Sequence, residues 1–99
     1  MNKDCFGPLC FDCANCIIRD YSVKGNDFVL ECTNGYSKAQ IVFRGTRDFS
    51  PDKKILSGMV VGIRTRLEED GSFVYRVELS KADLYFFDII ADSYRYIEL

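Results

Sequence analysis

Histidine is absent from all 99 residues. That absence excludes Ser/His/Asp and Cys/His nucleophilic machinery, histidine-ligated metals and the usual general base near neutral pH. Carboxylate or tyrosine chemistry stays open on composition, but the expectation is a non-catalytic protein. A basic excess is also missing. Thirteen Lys and Arg stand against fifteen Asp and Glu, for a formal charge of −2 and a pI near 5.0, so direct nucleic-acid binding through bulk charge is not expected. No apolar run approaches the roughly 20 residues that span a bilayer. The opening residues MNKDCFGPLC lack the apolar stretch of a signal peptide. A cytoplasmic protein with reduced thiols and no membrane partner is expected. No repeat, low-complexity tract or linker divides the chain, so residues 1–99 read as one β-rich domain.

What is present is alternation. Hydrophobic residues make up 47% and charged residues 28% of the chain, ordinary for a folded domain. IIRDYSV places Ile17, Tyr21 and Val23 on one face. FVLEC places Phe28, Leu30 and Cys32 on one side, and Gly25-Asn26 between these runs reads as a hairpin turn. After a second turn at Asn34-Gly35, AQIVF presents Ala39, Ile41 and Phe43 inward. RGTRDFSPDKK breaks the pattern and reads as a loop with one helical turn. MVVGIRTRLE then sets Met59, Val61, Ile63 and Leu67 on one face, and FVYRVEL returns with Phe73, Tyr75, Val77 and Leu79 inward. These two segments, 56–68 and 73–79, form the longest expected hairpin. KADLYFFDIIADSY could start as a helix at Ser80 with Asp83 as capping acid, yet its aromatics and isoleucines favour a strand. The expected fold is all-β, or a β-dominated α+β, with six or seven antiparallel strands in a sandwich or half-barrel.

The cysteines offer a site. CFGPLCFDCANC holds Cys5, Cys10, Cys13 and Cys16, and Cys32 follows alone. Two overlapping C-x-x-C units could supply thiolates to a tetrahedral zinc ion or an iron–sulfur cluster. The candidate ligands are Cys5, Cys10, Cys13 and Cys16, with Cys32 in reserve. Against this, structural zinc sites join pairs from distant parts of a fold, and Cys16 and Cys32 lead into or lie within apolar strand faces. Free cysteine packs as a small hydrophobe, so the preferred reading is core packing with no cofactor.

Three stretches carry a resemblance: FDCANCII leading into GNDFVLEC, AQIVFRGTRDF, and the closing LYFFDIIADSYRYIEL. From Phe11 onward the pattern resembles small β-rich immunity proteins of bacterial polymorphic and contact-dependent toxin systems. The resemblance implies a non-catalytic inhibitor that binds a cognate toxin domain, such as a basic nuclease, and blocks it. Tyrosine supplies contact area at low entropic cost, and carboxylates would complement a basic cleft. The candidate interface is the C-terminal region with the acidic turn: Tyr94 and Tyr96 as anchors, Asp88, Asp92 and Glu69 as charge complements. The competing role for the tyrosines is packing of the last strand. Arg44, Arg64, Arg66 and Arg76 could form a stripe for an anionic ligand, but their interleaving with Glu68 and Glu78 reads as cross-strand ion pairs.

Overall fold

The computed structural model of the chain describes residues 6–11, 13–35, 37–47 and 49–99. Strand β1 (Ile17–Lys24) passes to β2 (Asp27–Asn34) through Gly25 at φ 62°. A positive φ at that first turn position suits the twist of a two-residue hairpin. Strand β3 (Ser37–Arg44) follows, then one 3-10 turn (Lys53–Ile55) whose N-cap Asp52 accepts from the Lys54 amide at 2.9 Å. The rest is β4 (Met59–Leu67), β5 (Phe73–Ser80), β6 (Leu84–Ala91) and β7 (Ser93–Glu98). The fold is all-β: one seven-stranded antiparallel sheet in the order β6-β5-β4-β1-β2-β3-β7.

The two edge strands, β6 and β7, are consecutive in the chain and separated by Asp92 alone. A flat sheet cannot connect its opposite edges through one residue, so the sheet curls until they meet. Asp92 makes that corner, donating its backbone N–H to the Arg44 carbonyl at 2.8 Å. The curled sheet encloses one core in which Tyr75 of β5 meets Phe43 of β3 (centroids 5.7 Å) and Tyr94 of β7 (4.9 Å, edge-on). Ile18, Phe28, Leu30, Ile41, Phe43, Val60, Ile63, Val77, Leu79 and Ile89 are fully buried there. Each large apolar side chain so buried contributes about 1.5–3 kcal/mol before entropy is counted.

A second closure lies between β4 and β1, which meet at Ile17 and Met59. Along the rest of β4 the N-terminal segment takes the neighbouring place. Cys10 donates its N–H to the Ile63 carbonyl at 2.8 Å, Ile63 donates back at 3.0 Å, and Gly7 donates to the Thr65 carbonyl at 2.8 Å. Gly62 permits this approach. A Cβ there would sit 2.7 Å from the Cys10 carbonyl oxygen and 2.6 Å from Leu9 Cγ.

Two expected faces are corrected. The register slips between Ile18 and Asp20 in β1 and between Val60 and Gly62 in β4. An extra residue at a bulge reverses the alternation beyond it. Ile18 rather than Ile17 therefore enters the core, while Tyr21 and Val23 beyond the slip lie opposite the buried Leu30 and Phe28, Val23 remaining 53% exposed near the strand's end. Val60 joins Ile63 inside, whereas Met59 and Val61 are half-buried; Leu67 keeps the face of Ile63, opposite Phe73, but is exposed at the end of the strand. The faces expected for β2, β3 and β5 match the observed core.

Candidate protein-interaction surface

The tyrosines put forward as anchors lie on the inner side of β7. Tyr94 stacks on Phe43 (5.8 Å) and meets Tyr75 edge-on, and both Tyr94 and Tyr96 pack against the core. The terminal strand is an edge strand, but its aromatics point into the molecule. Tyr96 Oη lies 3.7 Å from Cys16 Sγ as a hydrogen-bonded pair. That contact, together with desolvation, pushes the Tyr96 phenol up to about 12.

The acids fall in three places. Asp88 is on the outer face of β6, where the Arg76 guanidinium grips it through Nε (2.8 Å) and Nη2 (3.0 Å). Asp92 is at the corner and pairs with Arg47 at 2.8 Å. Glu69 is exposed in the β4–β5 turn. The same turn lies near the corner: Asp70, whose pKa is lowered first by the Ser72 hydroxyl and amide, also feels the Arg47 guanidinium. The structure thus gathers Asp92, Asp70 and Arg47 at one end and leaves Asp88 on a separate face. Of the expected cross-strand ion pairs, Arg64 with Glu78 is present at 3.1 Å, whereas Arg66 pairs with Glu68 two residues along the same chain at 3.1 Å and Arg76 pairs with Asp88.

Cys13, Cys16 and Cys32 are all in the core. Burial, followed by the neighbouring Cys16 and Cys13, pushes the Cys32 thiol up to about 12. It is a neutral thiol at physiological pH, unlike the thiolate of a reactive cysteine. Cys10 is half-buried on its bridge to Ile63, and Cys5 lies outside the described residues. Among the described residues no three His, Cys, Asp or Glu are grouped to hold a metal ion.

A different surface stands out, on β6. Its inward residues Tyr85, Phe87 and Ile89 pack on the core. Three of its four outward residues are apolar too, Asp88 being the fourth: Leu84 is 77% exposed, Phe86 53% and Ile90 38%. The Arg76 guanidinium is held between two rings, 4.0 Å from the Phe86 centroid and 4.3 Å from that of Phe6. Cation–π contacts at partly exposed sites of this kind contribute about 0.5–1 kcal/mol. Beside them runs a groove of about 310 Å³, walled by Leu9, Leu84 and Phe86, with the Arg64–Glu78 pair at its floor. The sequence carries the signal for this surface in DLYFFDII, which is apolar at both parities. A strand apolar on both faces belongs in the middle of a layered fold or presents its second face to a partner.

No helix among the described residues is long and apolar enough to cross a membrane. No family model matches the chain, and neither curated proteins nor solved structures return a match.

Proposed function

We propose that this chain is a non-catalytic protein-binding module. Within that class we assign it the role its sequence resembles, an immunity protein that neutralises a cognate bacterial toxin domain. The observation that supports binding is the second apolar face of β6. Leu84, Phe86 and Ile90 lie in line on an edge strand, with the groove beside them. Interface centres are built from aromatic and arginine side chains in partly enclosed sites. Phe86 under Arg76 is such a pair, with Asp88 fixing the guanidinium. The interface is therefore moved from Tyr94 and Tyr96 to the outer face of β6, keeping Asp88 and leaving Asp92 and Glu69 as peripheral charges.

The test is co-expression of the chain with the toxin domain encoded beside its gene, read as restored growth, followed by binding measurements on the purified pair. Phe86→Ala and Leu9→Glu are expected to weaken binding by about 2 kcal/mol or more with an unchanged circular dichroism spectrum. Full neutralisation by both folded variants would remove this surface from the proposal. Turnover of a substrate by the isolated chain would remove the non-catalytic reading itself.

A further inference from the structure

We infer that two copies of this chain pair antiparallel through the free edge of β6, centred on Phe86, to form a continuous sheet across a two-fold axis. The argument begins with the direction of the backbone groups. Arg47 donates its N–H to the Ile90 carbonyl at 2.9 Å, so Ile90 turns its polar backbone away from β5. Alternate residues of a strand point their N–H and C=O to the same side. Leu84, Phe86 and Asp88 therefore also face away from β5. Among the described residues no backbone partner meets them there.

This open window has definite ends. The Arg47 bridge closes it at Ile90, and the turn with Ala82 at φ 76° closes it before Leu84. Within 84–88 the midpoint is Phe86. An antiparallel copy centred there pairs Phe86 with the partner's Phe86, and Leu84 with the partner's Asp88. Every outward donor and acceptor of the window is matched, each pair exchanging two hydrogen bonds.

Charge selects the same register. Centring on Asp88 would place two carboxylates opposite each other and press Phe86 against the position already bridged by Arg47. Centring on Leu84 would run Phe86 into the Ala82 turn. With Phe86 at the centre, Asp88 faces an apolar residue and remains neutralised by Arg76. On the inner side, Tyr85 would meet the partner's Phe87 as an aromatic cross-strand pair. A groove of about 610 Å³, lined by Asp52, Lys54, Lys81, Asp83, Tyr85 and Phe87, leaves space beside the edge for these side chains.

Between the Arg47 bridge and the Ala82 turn, the strand's one charge, Asp88, is held by Arg76, and other edge protections are missing. The strand has no proline, no lysine and no slip in its register with β5, and such an edge invites pairing. A second copy is the occupant whose hydrogen-bonding groups and charges match this window by symmetry. The inference does not depend on toxin neutralisation, because it is read on the purified chain without a partner.

Sedimentation or light scattering at roughly 100 µM, a range suited to a small interface, is expected to give twice the chain mass. Phe86→Pro removes an outward N–H and leaves the ladder to β5 intact. It is expected to raise the dissociation constant at least about thirtyfold, by loss of the two central hydrogen bonds. Phe86→Lys, which keeps the backbone donor but charges the edge, is expected to give a folded monomer. Val23→Lys, at an exposed apolar position on β1, should leave the dimer unchanged. A monomeric native chain, a dimer indifferent to Phe86→Lys, or open-ended assemblies in place of a closed dimer would each overturn the inference.

Discussion

Cys32 lies on the buried side of β2 beside Cys13 and Cys16, and its thiol is pushed from an ordinary 9.0 up to about 12. The neutral form is thus favoured in the folded chain and the thiolate is easier to form in the unfolded one. A group with a raised folded pKa contributes stability that is full below its unfolded value and is lost as pH climbs toward the folded value. Tyr96, raised from 10.0 to about 12 chiefly by its contact with Cys16, acts with the same sign over the upper part of that window. The melting temperature should therefore hold up to about pH 9 and fall between there and 12. Cys32→Ala should flatten the first part of that fall, which a melting series across pH checks directly. The tyrosines divide in the same way by what they touch. Tyr94→Ala removes a ring between Phe43 and Tyr75 and is expected to lower stability by about 2–3 kcal/mol, below the range for a fully buried aromatic. Tyr96→Phe keeps the packing but loses the Cys16 partner, at about 1 kcal/mol. Urea titrations measure both.

The strands themselves follow from alternation and turn residues. Gly25-Asn26 and Asp70-Gly71 fall between the strands they were expected to join, and Asn34-Gly35 closes β2 on the way into β3. Val77, Leu79, Ile41 and Phe43 are buried as their spacing requires. The misread positions Met59 and Val61 have one cause. A bulge adds a residue without a compositional mark, so both looked continuous with Ile63 although the chain shifts between Val60 and Gly62. The position of Tyr94 and Tyr96 was ambiguous for another reason. An edge strand presents one face to the core and one to solvent, and nothing in YRY says which parity turns inward. The partner face of β6 was visible in DLYFFDII only as an excess of apolar residues, because its exposure depends on strand order. Gly62 tests the bulge and the N-terminal segment together. A methyl group there would meet the Cys10 carbonyl oxygen and Leu9, so the segment that covers β4 must move. Gly62→Ala is expected to destabilise by about 1–3 kcal/mol, in the range of overpacking. The amides of Gly7 and Cys10, which donate to Thr65 and Ile63, should exchange faster with solvent than those of β2.

Both closures of the molecule depend on segments near the two ends of the sequence. The N-terminal segment completes the seam between β4 and β1, and β7 crosses from the corner at Asp92 to cover β3. The second closure is the more consequential, because β7 joins groups from all parts of the curled sheet. Its ladder with β3 runs from Ala39 to Arg44, Tyr94 meets Phe43 and Tyr75, and Tyr96 reaches Cys16 ahead of β1. The Arg47–Asp92 pair at the corner is exposed, with side chains 44% and 60% accessible, so Asp92→Ala should change stability by only about 0–1 kcal/mol. The packing of β7 should matter far more than the charge that introduces it. Deleting residues 93–99 leaves the edge of β3 bare and uncovers Phe43, Tyr75 and Cys16 together. The strands β4, β5 and β6 cannot retain structure as a separate unit, because Tyr75, Val77 and Leu79 would face solvent without the opposing half of the sheet. For the full chain, urea transitions followed by circular dichroism and by tyrosine fluorescence should coincide, as expected of one cooperative domain. The truncated chain should show no cooperative transition by either probe. A sharp transition surviving the truncation would mean that β7 is packed on an already stable core, and the molecule would not need its edges joined to fold.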